Sequence, residues 1–88
     1  MSDRHENRSA ADLAMDVRNS IRGELEAIND YTEYAMRAPT AEAAALFEHT
    51  ADDERHHVAE FFALLIQVDP AQCQAYMDVF SKGMYRQA

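Results

Sequence analysis

One cysteine in 88 residues, Cys73, excludes an internal disulfide framework and fits a reducing compartment. It stands in an apolar context and is expected to pack as a small hydrophobe. Glycine and proline are scarce, two of each, and the many Ala, Leu, Glu, Met and Arg favour helices. Basic residues are also few: eight Lys and Arg face 16 Asp and Glu, for a formal charge of −8. That balance argues against nucleic acid or an anionic membrane surface as partner. It suits a protein that collects cations, although acidity also serves solubility. Long hydrophobic runs are missing. The most apolar stretch, Val58 to Val68, contains Glu60 and Gln67 and is too short to span a bilayer. Residues 1–8 are polar, with no apolar core that would make a signal peptide, and are expected to be a flexible N-terminus. His5 and Glu6 lie there, away from any apolar pattern. A soluble chain of cytoplasmic type is expected.

What is present is helical periodicity. From Ala10 to about Arg37, Leu13, Val17, Ile21, Ile28, Tyr31 and Ala35 recur at spacings of three and four. Ser9 suits the N-cap of this helix, with Asp12 three places on. Ala38-Pro39-Thr40 breaks the pattern, because a residue before proline avoids helical geometry and Thr40 can cap the next helix. A second stripe then runs Ala44, Phe47, Ala51, Val58, Phe61, Leu65, Val68. So short a connection makes the two helices antiparallel neighbours. Asp69-Pro70 ends the second helix and starts a short third, Asp as N-cap and Pro in the first turn. Cys73, Tyr76 or Met77, and Phe80 give it an apolar edge. Residues 9–80 thus form the folded unit and 81–88 a tail, with Gly83 as a helix stop. Met15, Met36, Met77 and Met84 are expected to be packing residues.

Each long stripe has one polar hole. In the second it is residue 54, where Glu54 stands among hydrophobes; in the first it is residue 24, where Glu24 does the same. A carboxylate in an apolar seam costs several kcal/mol unless something neutralises it. His57 lies one turn beyond Glu54 on the same face. With 16 acidic residues in the chain, a Glu-x-x-His alone is weak evidence, and Asp53 with His56 repeats the spacing one register over, on a neighbouring and solvated face. The position of Glu54 in the seam carries the weight. Glu24 lies 15 residues before Pro39 and Glu54 lies 15 after it. At the helical rise both stand about 22 Å from the turn, so they meet at one level. Gly23, beside Glu24, weakens the helix by about 1 kcal/mol relative to alanine. The close approach of another backbone would give it a purpose.

Eighty-eight residues bury a limited core, so association of copies is an expected route to stability. One hairpin supplies two helices, while a bundle enclosing a metal centre usually needs four. Two copies would bring two lone glutamates (Glu24) and two Glu-x-x-His pairs (Glu54, His57), the donor set of a di-iron carboxylate bundle, related by a two-fold axis. Carboxylate and imidazole donors suit iron or manganese. The fold expected is all-α: an antiparallel two-helix hairpin plus a short third helix, dimerising into a ferritin-like four-helix bundle.

The segments Glu24-Leu-Glu-Ala-Ile-Asn-Asp-Tyr31 and Glu48-His-Thr-Ala-Asp-Asp-Glu-Arg-His-His57 resemble the encapsulated ferritins, short ferritin-like proteins packaged in encapsulin nanocompartments. The resemblance covers roughly Ile21 to Phe80. It implies dimers joined through a shared di-iron centre with two irons per dimer, and a ring of dimers, typically a decamer. It also implies oxidation of Fe(II) to Fe(III), with storage of the mineral in an encapsulin shell. By position it makes Glu24, Glu54 and His57 the ferroxidase ligands, sets Tyr31 behind them, and makes Glu26 an acid on the metal access route. Gly23 and Asp30 depart from the pattern, standing where some members have an acid and an aromatic. Residues 81–88 show no linker followed by an apolar targeting motif. Two other readings stay open: a rubrerythrin-like di-iron peroxidase or oxygen sensor, and a non-catalytic helical dimerisation or adaptor module.

Overall fold

The computed structural model describes residues 9–83, and they form three helices: α1 (Ala10–Arg37), α2 (Ala41–Val68) and α3 (Pro70–Ser81). Each begins where its capping residue requires. The Ser9 hydroxyl accepts from the Asp12 amide at 3.1 Å while the Asp12 carboxylate accepts from the Ser9 amide at 3.2 Å, a reciprocal box that satisfies two otherwise orphaned donors. Thr40 caps α2 through the Ala43 amide at 3.1 Å. Asp69 caps α3 through the amides of Ala71 and Gln72, and its other carboxylate oxygen meets Arg18 of α1 at 3.0 Å. One residue thereby ends α2, through its backbone amide on the Leu65 carbonyl at 2.9 Å, and with its side chain starts α3 and ties the corner to α1. Gly83, at φ 70°, takes the left-handed conformation expected of a helix stop. Ser81, expected in the tail, still belongs to α3, while residues 1–8, with His5 and Glu6, and residues 84–88, with Met84, lie outside the described residues.

The α1–α2 hairpin carries the core. Ala14, Val17 and Leu65 are buried together, with Ile21, Phe61, Phe62, Leu64 and Val68 packed against them, and Ala51 is buried nearer the turn. The seam differs from the expected one at its start. Leu13 is 39% exposed and Ala14 takes its place. Leu13 and Ala14 lie four and three residues before Val17, so either could continue the stripe, and the packing of α2 against α1 decides for Ala14. The methionines also depart from expectation: Met15, Met36 and Met77 are 55%, 83% and 55% exposed, and so are not packing residues within the single chain. At Gly23 an added Cβ would meet nothing within 4 Å, so among the described residues no backbone makes the close approach its presence suggested.

α3 buries no residue fully. Its contact with the hairpin runs through Tyr76, whose ring meets Phe62 of α2 at 5.4 Å and Phe80 at 5.4 Å. The radius of gyration is 17.2 Å, against about 12 Å for a compact domain of this length. The molecule is a flat hairpin with an arm, all-α as expected. Among the described residues no helix is long and apolar enough to cross a membrane.

Candidate metal centre

Glu24 comes from the middle of α1, and Glu54 and His57 from the middle of α2, at the level where the two seams were each expected to carry a carboxylate. The three side chains converge. His57 Nδ1 lies 3.1 Å from Glu54 Oε1 and 3.5 Å from Glu24 Oε2. One donor atom from each of the three residues lies within 4.8 Å of the others, and they are the one such group of three or more possible metal-binding side chains among the described residues. The carboxylates are mostly covered, with Glu24 and Glu54 side chains 21% and 19% exposed, while His57 is 46% exposed. The site therefore sits in the seam and opens on one edge of the hairpin.

Its electrostatics are those of a site short of positive charge. Glu54 is held above its ordinary carboxylate value, first by hydrogen bonding with Glu24, then by burial and by the Glu24 charge, with His57 opposing. Burial works against protonation of His57, but the carboxylates of Glu24, Glu54 and Glu60 outweigh it and the net shift is upward. Glu24 Oε2 is itself buried and accepts no hydrogen bond among the described residues, since His57 Nδ1 at 3.5 Å is an ion-pair contact too long or misaligned to donate to it. A buried acceptor left unsatisfied costs about 1–3 kcal/mol. Two carboxylates and an imidazole nitrogen, one oxygen unsatisfied, fit a divalent cation of intermediate hardness such as Fe(II) or Mn(II).

The other candidates lie elsewhere. Tyr31 is half-buried two turns from Glu24, in an aromatic cluster towards the turn: its ring is 6.2 Å from Phe47 in a stacked arrangement and 5.8 Å from Tyr34 edge-on. Arg37 lies over the Tyr34 ring at 5.6 Å. Glu26 and Asp30 are exposed on α1, and neither joins the group of three. His56 is solvated as expected, but its carboxylate neighbour is Asp52 rather than Asp53. Its Nδ1 lies 3.0 Å from the Asp52 carbonyl, and Asp53 faces His49 at 3.6 Å. An i to i+4 pairing within one helix overrides the i to i+3 pairing read from the sequence. Sequence reasoning took Glu60 only as a charge interrupting an apolar run. Its influence on both His56 and His57 could have been sought at the i+4 and i+3 spacings.

Comparison with known proteins gives the family of the chain. The rubrerythrin family matches residues 17–84. Among curated proteins, the encapsulin nanocompartment cargo protein EncC of Myxococcus xanthus is 38% identical over 69% of this chain and 47% of its own length. The cargo protein EncB of the same organism is 33% identical over 82% of this chain and 46% of its own. A ferritin-like-encapsulin shell fusion protein of Pyrococcus furiosus is 38% identical over 64% of this chain and 16% of its own. The chain thus spans just under half the length of the two cargo proteins. No solved structure matches. The resemblance to encapsulin-associated ferritin-like proteins read from Glu24–Tyr31 and Glu48–His57 is matched by these relatives. With 68 consecutive residues aligned, from 17 to 84, the chain belongs to the rubrerythrin family.

Proposed function

We propose that the protein is a ferroxidase, binding Fe(II) at a centre shared between two copies of the chain and oxidising it to Fe(III) with dioxygen. The convergence of Glu24, Glu54 and His57 on one open edge of the hairpin carries this reading. Three donors from one chain leave an iron ion short of a full coordination sphere. A two-fold related copy would double the set to four carboxylates and two imidazoles around two ions. When bound, iron supplies the electrons that dioxygen takes. The chain's own residues hold and neutralise it. Glu24, with its unsatisfied Oε2, reaches in from α1, and Glu54 and His57 close from α2. His57 must give up any proton on Nδ1, and Glu54 must be ionised, before either can act as a ligand, so loading releases protons and strengthens as pH rises. Tyr31 would stand behind the ligands, and Glu26 would attract the incoming ion from its exposed position on α1.

Similarity to two encapsulin cargo proteins and to a shell fusion supports an encapsulin shell as partner, with this protein inside the compartment and the shell storing the oxidised iron. Rings of dimers, such as a decamer, suit a chain with exposed apolar residues on α3 and α1. A second reading, peroxide consumption or oxygen sensing at the same di-iron centre, is favoured by the family match itself. An adaptor role would leave two carboxylates in an apolar seam without a purpose.

Size measurement with metal analysis, with and without Fe(II), tests the centre in the intact chain and in Glu54→Ala. Iron-dependent association at about one iron per chain, lost in the variant, is expected. The same size and no metal in both proteins would return the adaptor reading. Fe(III) formation under air, compared with peroxide loss at equal iron, separates ferroxidase from peroxidase.

A further inference from the structure

We infer that Glu60 is a positioning residue for the metal centre, accepting a hydrogen bond from His57 Nε2–H when Nδ1 is engaged by metal. The inference rests on the reading of Glu24, Glu54 and His57 as metal ligands. It begins from the orientation of the imidazole. Both contacts of His57 are made by Nδ1, at 3.1 Å and 3.5 Å, which turns Nε2 away from the carboxylates of the site. Among the described residues nothing engages that nitrogen, and the side chain is 46% exposed. A histidine bound to metal through one nitrogen carries its proton on the other. Such rings are held by a carboxylate, carbonyl or water that accepts it, and losing that partner typically costs tenfold to a hundredfold in metal affinity. Without such a partner this half-exposed ring is held from the Nδ1 side alone.

The acceptor has to come from within reach of one turn. On the continuous helix α2, side chains three and four residues from His57 share its face. Asp53, four before, is drawn to His49 at 3.6 Å. Phe61, four after, is apolar and packs into the core. Glu60, three after, is exposed and free to change rotamer, and it is the remaining carboxylate on that side of the ring. Its charge already acts on His57, and on His56 beside it, in the metal-free chain. A carboxylate there also makes the imidazole a stronger donor to metal.

The test uses the full chain with Zn(II), a diamagnetic probe, and with Fe(II) under anaerobic conditions, comparing Glu60→Ala, Glu60→Gln and Asp53→Asn. Affinity is expected to fall about tenfold to a hundredfold in Glu60→Ala and less in Glu60→Gln, whose amide oxygen can still accept. Asp53→Asn, which removes the same charge from the same helix, is expected to stay within about twofold. In the zinc-bound protein the His57 Nε2–H proton should give a slowly exchanging NMR signal that is lost in Glu60→Ala. Equal losses in Glu60→Ala and Asp53→Asn would reduce the effect to bulk charge and overturn the inference. So would unchanged affinity, or an unchanged Nε2–H signal, in Glu60→Ala. Zinc binding that survives Glu54→Ala in full would instead overturn the reading of the centre, and this inference with it.

Discussion

His56 and His57 are neighbours in sequence, and each follows an acid by three residues, yet they lead different lives. His57 turns into the seam between α1 and α2 and finds two carboxylates, from Glu54 and Glu24. His56, about 100° further round the helix, is 75% exposed and turns back to the Asp52 carbonyl of its own helix. The two motifs are alike in composition and differ only in register against the apolar stripe. A spacing motif therefore carries chemical meaning only through the face it lands on. On the seam it meets a residue from another helix; on the outer face it meets the preceding turn of its own.

The contrast is tested most severely at the acids. Glu54→Ala should abolish high-affinity Fe(II) or Zn(II) binding, a loss of about a hundredfold or more, while Asp53→Ala leaves it unchanged, as measured by titration calorimetry under anaerobic conditions. If both variants bind alike, the seam position of Glu54 confers nothing. Next come the histidines themselves. His57→Ala should weaken metal binding by about tenfold to a hundredfold, and His56→Ala by less than about twofold.

The pH dependence separates the same two residues. Glu54 and His57 both have folded-state values raised above the ordinary 4.5 and 6.5. A raised value means that the protonated form is favoured by folding. The stabilisation is then fully present below the ordinary value and is lost as pH rises through the folded one. The metal-free chain should thus melt at progressively lower temperature from about pH 4.5 upward past pH 6.5. Glu54→Gln should remove the lower part of that slope, and metal affinity should run the opposite way. His56 is also raised, by the Asp52 carbonyl and then by its carboxylate, but His56→Ala should leave the metal affinity profile unmoved.

The smallest expected effect is at Gly23, one residue before Glu24. With nothing within 4 Å of an added Cβ, Gly23→Ala should stabilise the single chain by about 0.5–1 kcal/mol in denaturant unfolding. If a second copy brings its backbone against this position, the same substitution should weaken association while raising monomer stability.

Much of this was legible beforehand because its causes are local. Ser9, Thr40 and Asp69 each cap the helix they precede, since a cap needs only the next three residues. The meeting of Glu24 and Glu54 followed from equal counts on either side of Pro39, because helical rise is constant. The exchange of Leu13 for Ala14 was not legible, since both lie within one turn of Val17 and only the packing against Leu65 of α2 decides which is buried. Nor were the exposed methionines. A helix pattern marks a residue as apolar, and only the arrangement of helices says whether a partner covers it. Tyr31 was visible as an aromatic on the right face, but its place in a cluster with Tyr34 and Phe47 needed both helices at once.

Three capped helices, an antiparallel hairpin and two carboxylates at one height were dictated by the order of residues alone, because propensity, capping and rise act over a few positions. Folding in three dimensions added the rest: one imidazole nitrogen faces both carboxylates, Glu24 Oε2 is left unsatisfied, and α3 stands off as an arm with its apolar side chains exposed. These depend on rotamers and on the packing of segments distant in sequence, which no local pattern records.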